Sequence, residues 1–143
     1  MIRGCGPIGY PGSAEVVNMQ PPDSMIRKGV FELPTLGDGR QSGTSGSPSI
    51  LNVSPESAIG GGLALLKTGD MLRIDLNQCT IDVLLNKNEL QKRRELSHLN
   101  ETKNQTPWQE IYRNTVGQLS GGGIIELAEK YKKIRHTIPR HSH

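Results

Sequence analysis

Residues 37–48 read GDGRQSGTSGSP, with four glycines, three serines and one threonine beside Asp38 and Arg40. Hydroxyls at this density can hold sugar oxygens or relay protons, and glycines let the backbone close on a ligand. A phosphate-binding loop would need GxxxxGK[ST], and the stretch has no lysine. A nucleophile elbow would need GxSxG, which GTSGS misses by one residue. Histidines stand only at 98, 136, 141 and 143, so a Ser-His-Asp triad has poor candidates. A flexible linker fits badly too, because Asp38 and Arg40 bracket Gly39 and apolar segments flank the stretch closely. What remains is a rigid, hydroxyl-rich turn at the end of a strand, an undefined polyol or anion site. Loops of this kind are more often structural than catalytic.

The elements that must position this loop read as follows. Turn chemistry in GCGPIGYPGS ends at Ser13, an N-cap for a short helix over AEVVNMQ with Glu15 in its first turn. A second short helix runs through DSMIRKG and stops at Gly29. VFELPTL is a strand leading into the loop, Pro34 marking an end, and PSILNV is a strand leading out. Ser54, Pro55 and Glu56 have the order of a helix start, broken by Gly60, Gly61 and Gly62, and LALL follows as a buried strand. Alternating apolar residues in MLRIDL and TIDVLL around Asn77–Gln78 predict a β-hairpin. Asn86 and Glu89 have capping-box spacing. Thr106 and Pro107 open another helix, on which Trp108, Ile111, Tyr112, Thr115 and Leu119 share a face. The glycines at 121–123 end it, and a last element of undetermined type follows.

The 143 residues are expected to form one domain, of α+β class: a small β-barrel or curved sheet with flanking helices. The apolar fraction is only 34%, so burial could depend on a partner surface. The net charge of +3 sits mostly in the final KYKKIRHTIPRHSH, read as a solvated terminus rather than a nucleic-acid patch. Cys5 and Cys79 lie far apart, and no CxxC or HExxH pair occurs, so no autonomous zinc or iron–sulfur motif is present. No apolar leader or membrane-length stretch occurs, which points to a cytoplasmic chain with no membrane contact.

Three blocks, GYPGSAEVVNMQPP, LPTLGDGRQSGTSGSPSILNVSPESAIGGGLALLKTGDMLRIDL and QTPWQEIYRNTVGQL, together resemble the C-terminal domain of the dihydroxyacid and sugar-acid dehydratases. The resemblance runs from about Arg3 to about Tyr131 and keeps motif order. It is closest to the pentonate branch, such as arabinonate or xylonate dehydratases. The branched-chain biosynthetic enzymes typically carry a histidine before VSPE, where this chain has Asn52.

The resemblance implies a hydro-lyase that turns a 2,3-dihydroxy acid into a 2-keto-3-deoxy acid, using an iron–sulfur cluster and Mg²⁺. It implies Ser42 as the base, acting as an alkoxide, and Thr44 as a substrate-binding or proton-transfer residue. Glu15 matches a magnesium-ligand glutamate; without the resemblance it reads as a carboxylate complementing a helix dipole. Asp38 and Arg40 either brace the loop or meet the substrate carboxylate. The implied fold is the swivelling β/β/α barrel. The implied partners are a sugar-acid substrate, an N-terminal dehydratase domain that holds the cluster, and further copies in a homo-oligomer. The chain by itself is then an incomplete, inactive part of an active site. The alternatives are a dihydroxyacid dehydratase of branched-chain synthesis, or a non-catalytic module that binds sugar acids or a protein.

Overall fold

A computed structural model describes residues 1–11, 15–16, 21–41, 47–97, 103 and 105–136, with the backbone alone at 15, 16, 41 and 132–136. Its strands are short. Among the described residues they are β1 (Glu15–Val16), β2 (Thr35–Leu36), β3 (Arg40–Gln41), β4 (Ser49–Ile50), β5 (Leu72–Asp75) and β6 (Thr80–Val83). Three α-helices accompany them: α1 (Asp23–Ile26), α2 (Lys87–Leu96) and α3 (Pro107–Thr115). Tight 3₁₀ segments cover Ser57–Ile59, Gly62–Leu65, Leu119–Gly121 and Glu126–His136.

The hydroxyl-rich stretch is a crossover connection. β2 and β4 lie parallel, Thr35 opposite Ser49 and Leu36 opposite Ile50, so the chain between them must return to the same end. Halfway along that return, β3 pairs in parallel with β1, Glu15 opposite Arg40 and Val16 opposite Gln41. Gly39 accepts a hydrogen bond from the Asn52 amide at 3.0 Å, and Gly37 accepts one from Val53 at 3.1 Å. Residues 37–41 are thus paired within the fold.

The β5–β6 hairpin forms as its alternation predicts, Asp75 Oδ1 accepting from the Asn77 and Gln78 amides at 2.9 Å. Asn86 caps α2 by accepting from the Glu89 amide at 2.8 Å. Thr106 and Gln109 close a full capping box on α3, with Pro107 in its first turn. Gly29 leaves α1 with φ 81°, a conformation that L-residues rarely adopt.

Other expectations are corrected. Glu15–Val16 is a strand, not the start of a helix, so Glu15 does not complement a helix dipole. Consecutive β-branched valines suit extended backbone, and pairing with β3 decides the matter. LALL is not a strand: Gly62–Leu65 is a 3₁₀ turn that still buries Leu63 and Leu65. Ser54 and Pro55 precede rather than open the turn at Ser57, and Glu56 occupies its N-cap position without capping it. The Glu56 side chain is used elsewhere. Pro34 precedes β2 instead of ending it.

The core is small. Leu36, Leu63 and Leu66 form its centre, with Ile50, Val53, Leu72 and Val83 packed against it. Helix α2 is tied to this centre by Arg93, whose guanidinium donates to both Asp70 oxygens (2.6 and 3.0 Å), to the Leu65 carbonyl (3.1 Å) and to Glu89 (2.8 Å). Of the α3 face anticipated from sequence, Trp108 and Ile111 are exposed while Tyr112 and Thr115 are half-buried; the helix ends at Thr115, well before the glycines at 121–123, and leaves Leu119 in the next 3₁₀ turn. No helix among the described residues is long and apolar enough to cross a membrane.

Candidate functional site

The site region is built around a glycine loop at residues 4–9, held by two buried carboxylates. Asp38 is fully buried just after β2, beside Gly37, where a Cβ would lie 2.9 Å from the Ile2 carbonyl oxygen. It accepts from the Gly4 amide (3.1 Å), the Cys5 amide (3.0 Å), the Ser57 amide (2.8 Å) and the Ser57 hydroxyl (2.5 Å). The Gly4 amide also donates to Ser57 Oγ at 2.8 Å. Burial pushes the Asp38 carboxyl toward protonation, but the bonds from Ser57, Cys5 and Gly4 outweigh it and hold the carboxyl below its ordinary range.

Glu56 is the second carboxylate, also fully buried. Its Oε1 accepts from the Ile8 amide (2.9 Å) and Gln118 Nε2 (2.8 Å), and its Oε2 accepts from the Gly9 amide (2.8 Å) and Ile8 (3.2 Å). The Glu56 amide returns a bond to Gln118 Oε1 at 2.9 Å. From the end of α3, Arg113 Nε donates to the Ile8 carbonyl at 2.8 Å. The loop passes so close to Glu56 that a Cβ at Gly6 would lie 2.6 Å from its carboxyl carbon. Residue 6 must therefore be glycine.

These anchors fix the strands that carry the candidate residues. The glycine loop leads toward β1 and Glu15, and Asp38 stands two residues before Arg40 on β3. The parallel register places the Glu15 backbone one strand spacing, about 4.8 Å, from Arg40. Arg40 is exposed. Ser42 and Thr44, directly after β3, lie outside the described residues. Of the two roles open to Asp38, the geometry here is that of a brace: it is buried and both oxygens are engaged by the fold.

Both cysteines are free thiols. Burial first, then the Asp38 charge, pushes the Cys5 thiol up. Cys79 is exposed in the hairpin turn with φ 52°. No group of three His, Cys, Asp or Glu among the described residues could hold a metal. An iron–sulfur cluster takes three or four protein ligands, so the described residues do not fit one.

Glu56, Ser57, Arg113 and Gln118 form a network that the sequence does not announce, because Ser54, Pro55 and Glu56 in that order have the appearance of a helix start. The available signal was a carboxylate locked between Pro55 and the glycines at 60–62, where no regular helix has room. Asn52 adopts φ 62°, in the left-handed region where asparagine is among the tolerated residues.

Comparison of the sequence with known proteins finds relatives. A family model described as Dihydroxy-acid/6-phosphogluconate dehydratase C-terminal matches residues 1–123. All of this chain aligns at 57% identity with 24% of the D-xylonate dehydratase of Caulobacter vibrioides. Over 65% of this chain, identity is 40% to the L-arabinonate dehydratase of Rhizobium leguminosarum, covering 16% of that protein. A Dihydroxy-acid dehydratase of Clostridium beijerinckii is 36% identical over 89% of this chain and 23% of its own length. The chain thus spans about a quarter or less of the relatives it matches.

Proposed function

Because the chain belongs to the C-terminal family of the dihydroxy-acid and 6-phosphogluconate dehydratases, we propose that it forms the C-terminal part of a sugar-acid hydro-lyase. The reaction removes water from a 2,3-dihydroxy acid to give a 2-keto-3-deoxy acid. The observation that carries this reading is the 57% identity to D-xylonate dehydratase along all 143 residues, against 36% for a dihydroxy-acid dehydratase. Asn52, where the branched-chain enzymes typically carry histidine, points the same way.

Ser42 takes the proton from carbon 2, hydroxide leaves carbon 3, and the enol tautomerises to the ketone. An alkoxide base needs positive potential around it, and Arg40, two residues upstream on β3, adds charge to the same segment. Thr44 holds the substrate or passes the proton on, Arg40 meets the substrate carboxylate, and Asp38 positions the strand. Glu15 offers the oxygen donor that Mg²⁺ prefers, and the ion would fix the carboxylate end of the substrate. It would be one ligand of several, the rest coming from the dehydratase's N-terminal domain. That domain would also hold the iron–sulfur cluster, whose chemistry is Lewis-acid polarisation of the leaving hydroxyl. The swivelling β/β/α barrel, a cytoplasmic location and a homo-oligomeric enzyme belong to the same reading, supported by family membership.

The test is turnover of pentonates by the complete dehydratase carrying this sequence. Ser42→Ala is expected to lose activity by about a thousandfold or more while the protein stays folded, as removal of a catalytic base does. A Ser42→Ala enzyme turning over normally overturns the assignment. Faster turnover of a branched-chain dihydroxy acid than of any pentonate overturns the substrate class.

A further inference from the structure

We propose that Glu56 and Ser57, held by Gln118, form a positioning clamp that sets the β1–β3 register, and with it the spacing of the candidate site. The inference rests on the function proposed above for what the register serves, but its geometry stands independently. Two adjacent residues reach both ends of the glycine loop: Ser57 Oγ accepts from Gly4, and Glu56 accepts from Ile8 and Gly9. The same Ser57 donates its amide and hydroxyl to Asp38, two residues before β3. One dipeptide therefore ties the segment before β1 to the segment before β3.

Gln118 extends the clamp to the far end of the chain. Its amide makes a two-point pair with Glu56, donating to the carboxylate and accepting from the backbone amide, across 62 residues of sequence. Arg113 closes the same loop from the carbonyl side at Ile8, across 105 residues. Such a network is more than a stability device in one respect. Glu56 holds the Ile8–Gly9 end of the loop, while Ser57 joins the Gly4 end to the β3 approach through Asp38, which also accepts from Gly4 and Cys5 directly.

Glu56→Gln keeps the shape but replaces one acceptor oxygen with an NH₂ group. Both oxygens face donors, so the amide opposes at least one N–H wherever it turns. The experiment compares Glu56→Gln, Gln118→Ala and their double variant with Leu72→Ala, a core change away from the clamp, in the complete protein. Amide exchange at Ile8 and Gly9, and at residues 15–16 and 40–41, should rise about tenfold or more in both clamp variants at matched global stability. The double variant should add little to either single one. With a pentonate, kcat should fall in the clamp variants beyond the fall in Leu72→Ala. Exchange at 15–16 and 40–41 equal to that of Leu72→Ala overturns the clamp, as does full additivity. Raised exchange in a protein that dehydrates no sugar acid, even unmutated, overturns the proposed function and leaves the clamp standing.

Discussion

Asp38 and Glu56 are buried acids of different visibility. Asp38 stood out in the sequence because it sits between glycines in a hydroxyl-rich loop, and it was open there to a bracing or a substrate-binding role. The four donors around it make it a brace. Its pH dependence follows. The folded carboxyl titrates below the unfolded one, so the stability it contributes is complete above the ordinary carboxylate pKa of about 3.9 and is lost as the pH falls through the lower folded value. Asp38→Asn should unfold at lower denaturant than the parent at about pH 6, with the gap narrowing once the pH falls below the ordinary carboxylate range and the parent's own carboxylate becomes protonated. A gap unchanged by that fall in pH would show that the charge is not what Asp38 supplies. At neutral pH the loss should be about 1–3 kcal/mol, since the Asn NH₂ must oppose a backbone N–H. Gly6 belongs to the same scale: Gly6→Ala drives a Cβ into the Glu56 carboxyl and should destabilise by more than 1 kcal/mol, measured by denaturant titration.

Elements with local signals were legible, and those made by distant pairing were not. The hairpin, the Asn86 cap and the Thr106 capping box each rest on residues within a few positions of one another, so the chain's own spacing specifies them. β1 and β3 are the opposite case. Among the described residues they pair with each other, Glu15 opposite Arg40 and Val16 opposite Gln41, and an extended segment without its partner makes no ladder. The reading of a helix at Glu15 followed a local cap signal that tertiary pairing overrode. α3 offers a direct test of a local signal. Thr106→Ala removes the acceptor for the Gln109 amide and should cost about 1 kcal/mol, seen as faster amide exchange in the first turn of the helix. Unchanged exchange there would mean that Pro107 alone starts the helix.

On the scale of the molecule, the described chain buries little and exposes much. Leu36, Leu63, Leu65, Leu66 and Val116 are its buried hydrophobics among the described residues, while Phe31, Leu76 and Trp108 stand 71%, 77% and 77% exposed. A body with so small a core should bind a hydrophobic dye at neutral pH when produced alone, and should show no dehydratase activity. Absent dye binding together with turnover of a pentonate would contradict both expectations. The sequence by itself determined the hairpin and the helix caps, because each is written in residue order over short spans, and the family, whose resemblance across the chain implies Ser42, Thr44 and Glu15 as candidate residues. Only the tertiary structure decided that Glu15 lies in a strand beside Arg40, that Asp38 is a brace, and that Glu56, Ser57 and Gln118 hold the glycine loop. Those contacts join residues 19 to 62 positions apart, and no local rule of spacing or propensity can select a hydrogen-bond partner at that distance.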